Sequence, residues 1–235
     1  MHGKKMLIVG GSSGIGLRLA MDAAAGGADV TITSRDEGTA ATRAAAAGAL
    51  VRAARADLGD EESIRALAEW VGELDYLVSM AADHANGAVT GLDREEVTRA
   101  FDAKVIGPIL LAKHFAKRLR PDGAILLFSG VAAHRPAPGL AVMATINGAA
   151  EYLAQALAVE LAPLRVNALS PGIVDSGSWD AMGKDKDRFL AETAARNPTR
   201  RIGQPADISA AALLALTNPF LTGTTLHVDG GGRLA

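Results

Sequence analysis

The sequence of 235 residues predicts an α/β fold in which seven parallel strands form one doubly wound sheet with helices on both faces. Short apolar runs alternate with alanine-rich helical segments from end to end, and 49% of the residues are hydrophobic. This alternation is typical of strand–helix–strand units, which place parallel strands under helices through right-handed crossovers. No linker-like tract or short-period repeat interrupts it, so we predict a single domain over residues 1–235.

The strand predictions rest on the short apolar runs. In chain order the predicted strands are Lys5–Val9, Asp29–Thr33, Leu50–Ala54, Leu74–Ser79, Ala124–Ser129, Arg165–Ser170 and Thr224–Val228. The segments between them are rich in alanine, the residue with the highest helix propensity. The predicted helices are Ile15–Ala25, Thr39–Ala47, Glu61–Val71, Arg94–Arg120, Leu140–Leu161 and Ala206–Ala215.

One stretch, residues 172–205, departs from the regular alternation. It follows Pro171 and carries the charge cluster Lys184-Asp185-Lys186-Asp187-Arg188. A charge run is usually a solvated helix face. A long excursion between strands is also typical of a mobile flap over a substrate site at the strand ends. We favour a flap, because a long excursion in an otherwise tightly connected chain needs a reason.

Composition and charge exclude several classes of function. With 24 Lys and Arg against 26 Asp and Glu, the net charge of −2 gives no general attraction to nucleic acid or to an anionic membrane. The absence of cysteine excludes disulfides, thiolate catalysis and cysteine zinc sites, and we predict no metal site. The apolar run Met6–Val9 is too short for a signal peptide, and no stretch approaches the ~20 apolar residues of a membrane span. We expect a soluble, cytoplasmic protein with a small-molecule substrate.

The turn after the first predicted strand has the composition of a phosphate-binding loop. It reads Gly10-Gly11-Ser12-Ser13-Gly14-Ile15-Gly16 and opens the first helix. Its glycines permit a tight turn, and its backbone N–H groups together with the helix N-terminus favour a diphosphate. The pattern Gly10-x-Ser12-x-Gly14 also matches a hydrolase nucleophile elbow, with His227 and a distant acid as partners. We favour dinucleotide binding, because only one strand precedes Ser12 and an elbow needs earlier strands for its oxyanion loop.

The end of the second predicted strand indicates which dinucleotide is bound. It reads Thr33-Ser34-Arg35, without the acidic residue that would bind the ribose hydroxyls of NAD. Arg35 instead offers a fork of donors for a 2′-phosphate. Asp36 and Glu37 follow at once and would offset part of its charge. An ordinary surface arginine is the alternative, and we predict NADP(H) in preference to NAD(H).

Four segments in this order resemble the short-chain dehydrogenase/reductase family over essentially the whole chain. They are VGGSSGIG, the ADL at Ala56–Leu58, the VNALSPGIV at Val166–Val174 and the LHVDGG at Leu226–Gly231. The resemblance implies a Rossmann fold and an NAD(P)-binding oxidoreductase. It also implies the residues that would contact the cofactor, namely Gly10, Ser12, Ser13, Gly14, Ile15, Gly16, Ser34, Arg35, Asp57, Leu58, Ala81 and Ile173. The chain departs from the family at Val9, where a threonine is usual.

The resemblance fails at the catalytic positions. Most family members carry Tyr-x-x-x-Lys on one long helix, a serine thirteen residues before the tyrosine, and an asparagine on the preceding helix. Alignment places Met143 at the tyrosine, Asn147 at the lysine, Gly130 at the serine and Lys104 at the asparagine. The usual Asn-Asn-Ala-Gly is Ser79-Met80-Ala81-Ala82. No shift of alignment restores the tyrosine, because the residues four positions after Tyr76 and Tyr152 are Met80 and Ala156.

Three hypotheses follow. The first is an NADP(H)-dependent reductase of a small carbonyl, imine or enone, with Lys104 as substitute acid or oxyanion stabiliser. His84 and His134, on loops at strand ends, are further catalytic candidates. The second is a nucleotide-binding protein without redox turnover, acting as a sensor or an assembly partner. The third is a non-redox enzyme on the same fold, with Asp175 and Trp179 of the flap in its pocket. Ordinary structural or surface roles are the alternative for each of these side chains.

The predicted helices Arg94–Arg120 and Leu140–Leu161 have apolar faces wider than one sheet requires. Members of the family commonly associate through these two helices, and their C-terminal segment commonly meets a neighbouring subunit. The resemblance therefore implies a homodimer or homotetramer.

Overall fold

A computed structural model describes all residues from 1 to 235. Its seven strands are β1 (Lys5–Val9), β2 (Asp29–Ser34), β3 (Val51–Arg55), β4 (Leu74–Ser79), β5 (Leu119–Phe128), β6 (Arg165–Pro171) and β7 (Thr225–Val228). Its eight α-helices are α1 (Gly14–Ala25), α2 (Glu37–Ala47), α3 (Glu61–Val71), α4 (Arg94–Phe101), α5 (Gly107–Phe115), α6 (Ala141–Glu160), α7 (Lys186–Arg196) and α8 (Pro205–Thr217). The predicted strands and most predicted helices are confirmed, with ends that differ by a few residues.

The strands form one parallel sheet in the order β3-β2-β1-β4-β5-β6-β7. The order reverses direction between β1 and β4, which lie side by side at the centre. In open α/β sheets, the crevice outside the carboxyl ends of the strands at such a switch point is where ligands bind. The predicted doubly wound α/β sheet is therefore confirmed, and its topology already locates the functional end of the molecule.

Helices cover both faces of the sheet because neighbouring residues of a strand point to opposite sides. On β1, Met6 and Ile8 pack in a core with α1 and α8, whereas Leu7 and Val9 pack in a second core with α3, α5 and α6. All four side chains are almost completely buried. A strand that is buried on both faces explains why the sequence shows a continuous apolar run at this point.

The prediction of one regular helix over Arg94–Arg120 is wrong at its C-terminal end and does not include the π turn within it. After α4 the chain makes a π-helical turn over Asp102–Ile106, α5 ends at Phe115, and β5 already begins at Leu119. Pro108 in the first turn of α5 has no N–H to continue the hydrogen-bond ladder of α4. Gly107 fits there because a Cβ atom would lie only 2.6 Å from the carbonyl oxygen of Asp102 and 2.6 Å from the Leu58 side chain. The π turn, a feature often found at functional sites, carries Lys104.

No helix of the structure combines the length and the apolar character needed to cross a membrane.

Candidate functional site

A cavity of about 1300 Å³ opens at the carboxyl ends of the central strands. Residues that follow β1, β2, β4, β5 and β6 line it, together with the π turn and the beginning of the 172–205 segment. The predicted location of the site at the strand ends is therefore where the structure has its large cavity.

The glycine-rich turn forms one wall of this cavity. Gly10 has φ +87° and Gly14 has φ +49°, a backbone region that strongly favours glycine. A Cβ atom at Gly10 would lie 2.7 Å from the Ala81 nitrogen, and one at Gly14 would lie 2.7 Å from the Ser176 carbonyl oxygen. Ser13 caps α1 without a side-chain hydrogen bond, so the first N–H groups of the helix remain available to a ligand. This cradle fits the diphosphate of a dinucleotide.

The cavity wall at the end of β2 contains the residues that were predicted to bind a 2′-phosphate. Ser34 and Arg35 line the cavity, and Arg43 on α2 joins them. Arg35 Nη1 donates to Asp83 Oδ2 at 3.2 Å, although two thirds of the Arg35 side chain remains exposed. Asp36, which was expected to offset part of the charge of Arg35, accepts the Thr39 N–H and caps α2. This hydrogen bond lowers the pKa of the Asp36 carboxyl. This wall thus has two arginines that could bind a phosphate, Arg35 and Arg43, and Arg35 is paired with Asp83.

Of the remaining residues that were predicted to contact the cofactor, all but one line the cavity. Asp57, Leu58 and Ala81 line the cavity, as do Ser12, Ser13, Ile15 and Gly16. Ile173 does not: its two neighbours Gly172 and Val174 line the cavity, whereas Ile173 faces a separate small pocket. The Ile173 carbonyl is also occupied, because it accepts the Gly203 N–H at 3.1 Å. The Gly172-Ile173-Val174 stretch therefore reaches the cavity through Gly172 and Val174, while the Ile173 side chain points elsewhere, and the approach of this stretch to the nicotinamide stays a prediction.

Lys104 is buried in the cavity wall, with 7% of the residue exposed. Its ammonium group donates to the Ser129 carbonyl oxygen at 2.9 Å and to Oδ1 of Asn147, and it forms no ion pair. Burial lowers the pKa of Lys104 to about 8, an effect that the Glu151 carboxylate partly opposes. Gly130, Met143 and Asn147, which were predicted to align with the other three family catalytic positions, line the same cavity. The exchange of lysine and asparagine between the two helices thus leaves the pair in contact.

The sequence did not reveal a second polar cluster behind this wall. The Ser129 hydroxyl donates to Glu151 Oε1 at 2.6 Å and also lies 3.1 Å from the Asn147 carbonyl oxygen. His134 Nε2 lies 2.9 Å from the Glu151 carboxylate, and its ring meets that of His227 edge-on at a centroid distance of 4.6 Å. Glu151 stands four residues after Asn147, on the same face of α6, and this spacing was the signal available in the sequence.

The two histidine candidates have different surroundings. His84 is exposed at the rim of the cavity. His134 lies outside the cavity lining and is held by Glu151, so the structure does not bring it to the site. The hydrolase alternative also lacks its geometry, because Ser12 lies in the glycine-rich cradle and forms no hydrogen bond with His227. Burial lowers the pKa of His227, and the neighbouring Arg233 adds to the shift.

The 172–205 segment closes over the cradle. Ser176, Gly177, Ser178, Trp179 and Asp180 line the cavity from this side. Lys186, from the predicted charge cluster, pairs with Asp175 at 2.9 Å and with Asp180 at 2.7 Å. The Trp179 Nε1–H donates to the Val174 carbonyl oxygen at 3.0 Å. Of the two flap residues named in the non-redox hypothesis, Trp179 therefore faces the cavity and Asp175 serves the ion pair.

Comparison with known proteins places these features in context. The model of a family described as Enoyl-(Acyl carrier protein) reductase matches residues 9–232. The chain is 33% identical to the short-chain dehydrogenase/reductase ucsE of an Acremonium species, over 99% of this chain and 96% of that protein.

Solved structures agree over the full chain. The crystal structure of a small-chain dehydrogenase in complex with NADPH is 32% identical, with a TM-score of 0.86 and coverage of 99% of this chain and 100% of that one. The MalC Reductase/Diels-Alderase from Malbranchea aurantiaca is 29% identical, with a TM-score of 0.94 and coverage of 100% and 98%. These similarities extend to both the cradle and the cavity, which lie within the aligned length.

Proposed function

The chain belongs to the short-chain dehydrogenase/reductase family of oxidoreductases, and from this premise we propose that it uses NADP(H) to reduce a small carbonyl, imine or enone substrate. The observation that carries the proposal is a buried lysine in the wall of a cavity that also contains a diphosphate cradle. The preference for NADP(H) is supported by Arg35 and Arg43 at the end of the cradle and by the NADPH complex of a similar protein.

The residues of the cradle would hold the cofactor, which supplies a hydride when it is bound. The N–H groups at the start of α1 would bind the diphosphate, and Arg35 would leave Asp83 to bind a 2′-phosphate. Asp57 and Leu58 would flank the adenine, as the family resemblance implies.

Lys104 provides positive charge where the substrate oxygen gains electrons. Its ammonium has no carboxylate partner, so its charge is not neutralised within the wall. A cation in a buried, preorganised site stabilises a developing oxyanion more strongly than the same cation would in water. In this proposal Lys104 therefore replaces the electrostatic part of the missing tyrosine's role.

Titration with NADPH and NADH, followed by a panel of ketones, imines and enones, tests the proposal. We expect NADPH to bind more tightly than NADH and to be oxidised by at least one substrate class. Lys104→Met should reduce turnover without reducing NADPH affinity. Absence of binding to both nucleotides would contradict the proposal.

A second candidate function is a reaction without redox turnover. The tyrosine position holds Met143, and a structural relative is named both a reductase and a Diels-Alderase. A cycloaddition needs a shaped cavity and hydrogen-bond donors but no transferred proton. Binding of NADPH without its oxidation by any of the panel would favour this candidate.

The exposed apolar side chains support assembly into a homodimer or homotetramer. Ile109 on α5 and Tyr152 and Val159 on α6 are exposed, Val159 to 82%. These side chains stay exposed on the two helices through which members of the family commonly associate, and an assembly would cover them. Light scattering coupled to size-exclusion chromatography should give at least twice the chain mass of 24.1 kDa.

A further inference from the structure

Three of the residues at family catalytic positions form one interlocking unit: Lys104, Gly130 and Asn147. Lys104 comes from the π turn, and Asn147 faces it from α6. An ammonium group carries only donors, so the amide atom that it contacts must be the oxygen, Oδ1. The contact with Lys104 therefore fixes the orientation of the Asn147 amide and directs Nδ2 away from the lysine.

Gly130 provides the space into which Nδ2 points. A Cβ atom at this position would lie 2.9 Å from Asn147 Nδ2 and 3.4 Å from Cγ. The backbone at Gly130 is extended, with φ 176°, so it does not itself require a glycine. The missing side chain is explained by the amide, because the serine that the family usually has there would collide with it.

The Asn147 Nδ2 group has no acceptor within the protein. The side chain accepts from Lys104 through Oδ1, and no hydrogen bond is donated by Nδ2 to any other residue. The residue is only 3% exposed and lines the cavity beside Gly130 and Met143. Nδ2 is not among the fully buried polar atoms that lack a partner, which are Thr33 Oγ1 and Ser170 Oγ, so it keeps access to the cavity and is available as a donor to a ligand there.

We propose that the Nδ2–H of Asn147 binds the carbonyl oxygen of the substrate, and that Lys104 acts through the Asn147 amide as a positioning and polarising residue. The inference rests on the proposed function and names the group that contacts the reacting atoms. Lys104 draws electron density toward Oδ1, which makes Nδ2–H a stronger donor. Gly130 completes the unit by leaving room for the amide.

This arrangement selects a conjugated carbonyl substrate. An amide N–H stabilises a negatively charged oxygen but does not release its proton to it. With an enone, the bound cofactor would supply a hydride to the β carbon, and the C=C electron pair would form an enolate whose negative oxygen the Asn147 Nδ2–H would hold. A proton from water then adds at the α carbon, so the C=C bond is reduced and NADPH is oxidised to NADP⁺. No proton donor at the oxygen is needed.

The variant Asn147→Asp tests the donor, because it replaces Nδ2–H by an oxygen of the same size and keeps a partner for Lys104. With cyclohex-2-enone and NADPH, we expect kcat to fall about 100-fold, as for loss of one oxyanion donor. The melting temperature should not fall, and the Kd for NADPH should not rise. Gly148→Ala is the matched control on the next position of α6, where a Cβ meets nothing within 4 Å, and it should keep wild-type kcat. An unchanged kcat in Asn147→Asp, or a loss confined to NADPH affinity, would overturn the inference.

A second measurement decides the inference even if the wild-type protein shows no turnover. In ¹⁵N-labelled protein, the side-chain amide signals that disappear in Asn147→Asp belong to Asn147. Titration with 4-nitrophenolate, a stable oxyanion, should shift these protons downfield, and its Kd should weaken at least about 10-fold in Asn147→Asp. Absence of the shift, or no binding of this probe, contradicts the role of Asn147. Failure to bind NADPH would instead contradict the proposed function.

Discussion

The close packing of Gly130 against Asn147 predicts by how much Gly130→Ala should lower the free energy of unfolding. The new Cβ would lie 2.9 Å from Nδ2, which is closer than real Cβ atoms approach other heavy atoms. Asn147 is held by Lys104 on its other side, so it has no easy movement away. Overpacking of a buried site typically costs about 1–3 kcal/mol, and we expect Gly130→Ala to lower the free energy of unfolding by this amount.

The double variant isolates the contact. Asn147→Ala removes all three side-chain atoms that the new Cβ would meet, so Gly130→Ala should cost less than about 0.5 kcal/mol in that background. The loss of Lys104's partner is the same in both Asn147→Ala chains and cancels in the cycle. Urea unfolding followed by far-ultraviolet circular dichroism, at one fixed protein concentration, measures all four chains.

The control and the contradicting result are both defined by the structure. Gly148→Ala, in open space on α6, should be neutral or raise stability by up to about 1 kcal/mol, because alanine favours a helix. If Gly130→Ala costs the same with and without the Asn147 side chain, the amide does not occupy the space that we assign to it.

Three further predictions concern charge and nucleotide binding. Burial lowers the pKa of Lys104 to about 8, so the ammonium cation is present below this pH and lost above it. Turnover should therefore fall as the pH rises through about 8, and this fall in the pH–rate profile should be absent in Lys104→Met. Arg35→Ala should weaken NADPH binding by about 10-fold or more and leave NADH binding nearly unchanged. Asp83→Asn should tighten NADPH binding, because it removes a carboxylate that competes for Arg35. If calorimetry shows that either variant changes the affinities for NADPH and NADH equally, the assignment of Arg35 to the 2′-phosphate is wrong. Gly14→Ala should abolish nucleotide binding through its collision with the flap carbonyl, whereas Gly148→Ala should bind normally in the same titration.

Local sequence patterns were sufficient for most of the fold. The strand at Lys5–Val9 and the helix at Glu61–Val71 have the predicted bounds, because each is specified by its own apolar period and its flanking residues. The predicted helix over Arg94–Arg120 is wrong at its C-terminal end. The helical backbone runs from Arg94 to Phe115 with a π turn before Pro108, and the chain then enters β5 at Leu119, where the prediction had continued the helix.

The side of the cavity formed by the glycine-rich turn could be predicted better than the side that contains Lys104. The glycine-rich turn is contiguous in sequence, and its strand-to-helix context defines its chemistry. For Ile173, motif membership gives the position along the chain but not the direction of the side chain, which faces a separate small pocket. The Ser129–Glu151–His134 cluster was missed because its members lie on different elements and meet only after the chain folds.

The sequence by itself determined the parallel sheet and the glycine-rich cradle, because each follows from residue types at short spacing. Only the tertiary structure decided which side chains meet in the cavity wall. Lys104 and Asn147 are 43 positions apart, and their contact depends on the packing of the π turn against α6. Burial of that contact changes the pKa of the lysine and fixes the direction of the amide, two properties that depend on surroundings rather than on residue type.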